Sequence, residues 1–348
     1  MKRLFTLLLL FSIPVCLVCI FDSVILSPVF FTQRVWDGIS TSNTTIQYFY
    51  PNQNIEMDEI GDLGFHTTKA IKKHVIWRTD SLGYRNDSII HQPDILLIGD
   101  SFLAGSTLTQ DSTLTSVLCK LTFGKYKIYN IAPASFSSFI SLLNHNVIKK
   151  PKVIILLEVE RFLYMKADTN ENYQLNKILN GEKSFTGINE FFDRFKKGTS
   201  QKWFNALFKH RTGIGYPSII DKRMLFFEST KAIDHDSEIY VGSQHAITLY
   251  KEKCKNLGIQ FLFVPMPNKE SVYWELVPFK KQPDLLFRVD SALRKLGIPT
   301  INTLALYNKG KKKGKWLYHF DDTHWNGNGV KLVAQELVKY IDSQVVLK

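Results

Sequence analysis

Three short runs of residues, apolar on both faces, constrain this chain more than anything else in it. They are Asp94-Ile-Leu-Leu-Ile-Gly99, Val153-Ile-Ile-Leu-Leu157 and Gln260-Phe-Leu-Phe-Val264. A strand with one wet face alternates polar and apolar residues, whereas a strand covered on both faces reads as a continuous apolar run, the habit of parallel sheets. Helical spacing separates the runs, at Leu114–Leu121, Phe139–Val147, Ala246–Leu257 and Leu285–Leu296, with a last helix from about Gly329 to Ile341. Lys127–Asn130 and Pro299–Ile301 read as further short strands. Strands alternating with helices predict an α/β domain: a mostly parallel central sheet with helices on both sides.

The chain's 348 residues exceed what that alternation uses. Residues 23–75, rich in Asn, Thr and Gln, read as a lead-in with an irregular strand or two, and no function is visible in them. The α/β domain occupies 76–348, interrupted at about 166–240 by a segment that reads as a mostly helical insertion. The 45% apolar and 22% charged composition is that of an ordinary globular protein and excludes full disorder and coiled coils. Net charge is +12, and without Lys2 and Arg3 there are still 42 basic against 32 acidic side chains. A basic surface attracts polyanions of any kind, but no nucleic-acid recognition motif accompanies the charge, so nucleic acid is not expected as a partner. The densest basic run, Lys309, Lys311, Lys312, Lys313 and Lys315, reads as a solvated flexible loop.

The N-terminus points to a compartment. Lys2-Arg3 is followed by eighteen residues, Leu4–Phe21, broken only by Thr6, Ser12 and Pro14. That approaches the roughly 20 residues a bilayer-spanning helix needs. Flanking basic residues hold their end in the cytoplasm and send the rest of the chain across. With no small-x-small cleavage signal after it, residues 1–22 read as an uncleaved signal anchor in preference to a removed signal peptide, and the remainder as extracytoplasmic, in the periplasm. Of four cysteines, Cys119 and Cys254 lie outside the anchor. They read as buried thiols or as one disulfide in an oxidising compartment. No metal-ligand spacing occurs, and no cofactor is implied.

Two short segments carry chemistry. Gly99-Asp100-Ser101-Phe102 follows the first sharp strand, at the carboxyl end of the sheet where open α/β folds bind ligands. A serine on that turn exposes its hydroxyl and its own backbone N–H, although Asp or Ser before a helix also reads as a cap. Asp321-Asp322-Thr323-His324-Trp325-Asn326 lies before the last helix. A histidine near a carboxylate is what a serine nucleophile requires: the imidazole takes the proton and the acid fixes its tautomer.

Ile98-Gly-Asp-Ser-Phe102 together with Asp322-Thr-His-Trp-Asn326 resembles the SGNH (GDSL-type) hydrolase superfamily, and more narrowly its alginate and polysaccharide O-acetyltransferase branch. Thr79-Asp-Ser-Leu-Gly-Tyr-Arg85, Glu158-Val-Glu-Arg161 and Val264-Pro-Met-Pro-Asn-Lys269 with Tyr273 support the narrower resemblance. It covers about 76–165 and 245–345. The resemblance implies a three-layer, flavodoxin-like α/β/α fold, with Ser101 as nucleophile, His324 as general base and Asp322 as orienting acid, Asp321 being the alternative acid. Asn130-Ile-Ala-Pro-Ala-Ser-Phe136 lacks the usual oxyanion-hole glycine, so Ser101 and Ser135 are the expected oxyanion donors. The usual Gly-x-Asn-Asp is replaced by Glu158-Val-Glu-Arg161, which leaves an inactive relative open. Arg85, Glu160, Arg161, Lys269, Tyr273 and Trp325 are candidate substrate contacts, each with a structural alternative.

The expected activity is extracytoplasmic O-acyl transfer, most simply O-acetylation, onto an exported or surface polysaccharide, with a multispanning membrane acyltransferase as the implied donor partner. A carbohydrate esterase and a catalytically silent glycan-binding subunit are the alternatives.

Overall fold

The computed structural model describes residues 2–24, 34–41, 48–64, 67–163, 215–228 and 240–345. Four strands form the central sheet: β3 (Ile95–Gly99), β4 (Ile128–Asn130), β5 (Val153–Val159) and β8 (Gln260–Met266), in the order β4-β3-β5-β8. All three pairings are parallel, with Ile95 opposite Val153 and Val153 opposite Gln260. Ile95–Ile98 and Val153–Leu157 are buried throughout, as two covered faces require. The expected strand at 299–301 is reduced to a parallel bridge between Phe263 and Thr300.

Helix placement follows from strand order. The chain steps outward from β3 to β4, then back across β3 to β5. Right-handed crossovers in opposite directions put their helices on opposite faces. Helix α4 (Leu114–Leu121) serves the first step, and α5 (Phe136–Asn144) the second. The α5 face also holds α6 (Tyr240–Asn256), since Phe136 stacks on Tyr250 at 4.4 Å. Helix α8 (Leu285–Lys295) packs beside α6, whereas α9 (Thr303–Lys312) and α10 (Gly327–Val345) pack with each other and α10 packs on α4. The order reversal falls between β3 and β5, and Gly99 ends β3 at that place.

The lead-in is more regular than its sequence suggests. β1 (Asn54–Glu59) pairs antiparallel with β2 (Lys73–Arg78), so the expected boundary at 75/76 falls inside a strand. The buried carboxylate of Glu59 accepts the Val35 N–H at 2.9 Å, tying the short helix α2 (Val35–Ile39) to this hairpin. Trp36, Phe49 and Trp77 pack edge to face beneath it. The 79–85 motif is a fastening: Asp80 accepts the N–H groups of Leu82 and Tyr84, the Asn86 amide and the Tyr129 hydroxyl. Asn86 donates onward to the Asn130 carbonyl at 2.8 Å, joining the motif to the end of β4.

Of the expected insertion at 166–240, only 215–228 and Tyr240 lie among the described residues. Residues 215–228 are built around an antiparallel hairpin, β6 (Gly215–Pro217) with β7 (Leu225–Phe227), and not a helix, while apart from Tyr240 the rest of the expected insertion lies outside the described residues. Leu225 N–H donates to the Phe320 carbonyl at 2.8 Å, so the hairpin lies against the segment carrying His324. The Lys309–Lys315 run is not a loop either. Lys309, Lys311 and Lys312 form the last turn of α9, where cations complement exposed carbonyls, and Gly314 follows at φ +74°. Cys119 and Cys254 are free thiols.

At the N-terminus the backbone is helical from Lys2 to Val24 (α1). Leu7, Leu8, Leu10 and Phe11 are exposed on it. Among the described residues no helix is long and apolar enough to cross a membrane; within α1 the side chains described are those of residues 2–3, 6–14 and 16–17.

Candidate active site

Ser101 is the first residue of α3 (Ser101–Ala104), a single turn closed by Gly105 in the left-handed region at φ +77°. The capping role falls to Asp100 and leaves Ser101 free. Asp100 accepts the Phe102 N–H at 2.8 Å through one oxygen and the Val159 N–H at 3.1 Å through the other, pinning the turn to the end of β5. Burial pushes the Asp100 carboxyl up, with Arg161 and the two N–H groups opposing. As a first-turn residue, Ser101 spends no backbone N–H inside the helix.

His324 meets Ser101 from the other end of the chain. Its Nε2 lies 2.7 Å from Ser101 Oγ, and its Nδ1 lies 2.6 Å from Asp322 Oδ1. A carboxylate only accepts, so Nδ1 carries the proton and Nε2 is left to accept from the serine hydroxyl. The pair is buried, with Asp322 at 0% and His324 at 4% exposure. Burial opposes ionisation of Asp322, but the His324 charge and hydrogen bond outweigh it and hold that carboxyl well below its ordinary range. The loop is set by local contacts: the His324 N–H also donates to Asp322 Oδ1, and Trp325 Nε1 donates to the Phe102 carbonyl at 3.0 Å. The last of these joins the histidine segment to the helix bearing the serine.

The alternative acid, Asp321, faces away from this chain of contacts. One oxygen accepts the N–H groups of Gly61 and Ile71, each at 2.9 Å, and the other pairs with Lys73 Nζ at 2.6 Å. Asp321 thus fastens the lead-in segment, and Asp322 is the carboxylate on the imidazole. Ser135 caps α5, its Oγ accepting the Ser138 N–H, and is exposed. The Ala134 N–H donates to the Gly99 carbonyl at 2.9 Å, which brings the loop before Ser135 against the strand end preceding Ser101.

Five of the six substrate-contact candidates are buried. Arg85, 2% exposed, donates to the carbonyls of Ile76, Ala104, Gly105 and Leu108 and lies 3.6 Å over the Trp77 ring. Lys269 donates to four carbonyls, those of Leu225, His319, Phe320 and Asp322, and burial pulls its ammonium down to about 8. Glu160 accepts the Asn268 N–H and the Ser271 hydroxyl through one oxygen. The Tyr273 hydroxyl accepts the Leu317 N–H, and Trp325 is fully buried. These side chains hold the site's walls and have no surface to offer a substrate. Arg161 alone is partly exposed, its guanidinium 5.6 Å from the Phe102 ring.

Sequence reasoning missed Asp62, Thr323 and Arg34. The Asp62 N–H donates to Asp322 Oδ2 at 2.7 Å. The Asp62 carboxylate accepts the Thr323 N–H at 2.8 Å and its hydroxyl at 2.7 Å, and lies 3.8 Å from Arg34. Burial and the Asp322 charge push the Asp62 carboxyl up. Nothing in Gly61-Asp62-Leu63-Gly64 announces this role beyond a glycine on each side of an acid. Asp62, Asp322 and His324 present ligand atoms within 4.8 Å of one another, a set able to hold a cation. In this arrangement Oδ1 of Asp322 and Nδ1 of His324 are engaged with each other, which suits proton handling.

No curated protein matches the chain. A family model described as "SGNH hydrolase-like domain, acetyltransferase AlgX" matches residues 224–347, a span that takes in Asp322 and His324 and leaves out Ser101. Over that span the chain is similar to an SGNH hydrolase-like domain of the acetyltransferase AlgX type, and its parallel α/β sheet agrees with that likeness.

Proposed function

We propose that the protein is an extracytoplasmic O-acyltransferase, acting as an O-acetyltransferase on an exported or surface polysaccharide through an acyl-enzyme on Ser101. The observation that carries this reading is the continuous Ser101–His324–Asp322 chain, with contacts of 2.7 and 2.6 Å. His324 Nε2 accepts the hydroxyl proton as Ser101 Oγ attacks the acyl carbonyl. The tetrahedral oxyanion is met by the Ser101 N–H, with that of Ser135 as second donor. His324 then returns its proton to the leaving group, whose departure leaves the acyl group esterified to Ser101. A sugar hydroxyl, deprotonated by the same nitrogen, takes the acyl group and restores the serine. Asp322 stays ionised throughout and stabilises the imidazolium.

Free acetyl-CoA belongs to the cytoplasm, so a membrane-embedded acyltransferase is the proposed source of the acyl group. The apolar N-terminal helix is the proposed anchor. The +12 charge suits an anionic glycan acceptor. The acyl-enzyme can equally be hydrolysed, so a carbohydrate esterase is the second reading.

Incubation with an activated acetyl ester, followed by mass spectrometry, tests the proposal. An acetyl adduct on Ser101, absent from Ser101→Ala, is expected. Product that forms only with oligosaccharide favours transfer, acetate release without it favours the esterase, and no adduct on Ser101 overturns both.

A further inference from the structure

We infer that Asp62, acting through the Thr323 hydroxyl, is a second acid behind His324, so that the imidazole is oriented by two carboxylates drawn from opposite ends of the chain. The inference rests on the acyl-enzyme reading above and adds a positioning residue to it. Two contacts define the second arm. Thr323 Oγ1 donates to Asp62 Oδ2 at 2.7 Å, and the same oxygen lies 3.3 Å from His324 Nδ1. A hydroxyl that donates to a carboxylate still accepts through its lone pairs. The sequence Nδ1–H to Oγ1, then Oγ1–H to Oδ2, therefore runs parallel to the direct bond to Asp322. Asp62 Oδ2 itself is 4.0 Å from Nδ1.

The arm is held in place. The Asp62 N–H donates to the far oxygen of Asp322, and the Thr323 N–H donates to Asp62, so each acid fixes the other. Gly61 and Gly64 beside Asp62 press on the backbone and side chain of Asp321, with no room for a side chain at either. Arg34 stands behind Asp62, shared with Asp37. The lead-in segment thereby supplies working parts of the site.

The test removes the first acid and asks what remains. With the full-length protein, Asp322→Ala should lower kcat for an activated acetyl ester by about 10²-fold, short of the roughly 10⁴-fold known for a triad left without a working acid. Adding Asp62→Asn should cost about another 10²-fold, whereas Asp62→Asn alone should cost only a few-fold, with KM unchanged. Thr323→Val should reproduce the loss in the Asp322→Ala background, and Thr323→Ser should restore it. Proton NMR gives an activity-free reading: the far-downfield Nδ1 proton of His324 should persist in Asp322→Ala and vanish in the double variant. An Asp62→Asn penalty equal in both backgrounds, or a downfield proton already lost in Asp322→Ala, overturns the inference. If Asp322→Ala does not fold, Asp322→Asn carries the same comparison. A chain that forms no Ser101 adduct removes the acyl-enzyme reading alone, and the NMR comparison still decides the second arm.

Discussion

Glu160 at the end of β5 illustrates how much a single buried carboxyl carries here. One oxygen accepts two hydrogen bonds and the other has no hydrogen-bond partner among the described residues. Burial pushes its carboxyl up to about 7 from 4.5, against the two donors. The sign follows: the folded state binds this proton more tightly than the unfolded chain. Stability from Glu160 is therefore complete below pH 4.5 and is lost as pH rises through about 7. Glu160→Gln should remove that loss. Against the parent, the variant should gain up to about 3 kcal/mol at pH 8 relative to pH 4.5, read from urea unfolding at both. An equal difference at both pH values would refute it. At this scale the sequence reveals residue types whose chemistry demands a partner, such as Ser101 and His324. It does not reveal whether Arg85 or Lys269 meets solvent, because a long cation suits a carbonyl cluster as well as an anionic sugar.

Among the elements, the β1–β2 hairpin and the loop between its strands were the least legible. Each strand carries only two alternating apolar residues, Ile55 and Met57 in β1 and Val75 and Trp77 in β2, and the segment's other partners are polar and distant: Gly61 and Lys73 meet Asp321, roughly 250 positions away. The core strands were legible because burial on both faces needs nothing but local composition. The hairpin's role is testable. Asp321 is fully buried, and among the described residues Lys73→Met would leave its charge with backbone donors only. Breaking a buried pair from one side should cost about 3–5 kcal/mol in chemical unfolding. Lys73→Met/Asp321→Asn, which removes the charge as well, should recover most of that. A Lys73→Met chain as stable as the parent would mean that Asp321 is not held as described. Arg85→Lys makes a parallel case: a compact ammonium cannot reproduce the flat fork that reaches the Ile76, Ala104, Gly105 and Leu108 carbonyls while lying over Trp77, so α3 should loosen and the Ser101 adduct should form more slowly.

For the molecule as a whole, the distance between the proposed anchor and the candidate active site is limited by chain length. Val24 ends α1, and Arg34 already stands against Asp62. Ten residues reach at most about 35 Å. If α1 inserts as proposed, the acid side of the triad works within about that distance of the bilayer, where a membrane-embedded donor would present its acyl group. Deleting residues 1–24 should release the protein from membranes, in carbonate extraction, while leaving cleavage of a soluble acetyl ester unchanged, because none of the described side chains of α1 touches the site. A twenty-residue Gly/Ser insertion after residue 28 should likewise spare the soluble ester. It should lower acetylation of the cellular polysaccharide, since the lengthened tether dilutes the site relative to its donor. Full polysaccharide acetylation with the long tether would show that the donor reaches the enzyme from solution, and would detach the anchor from the chemistry.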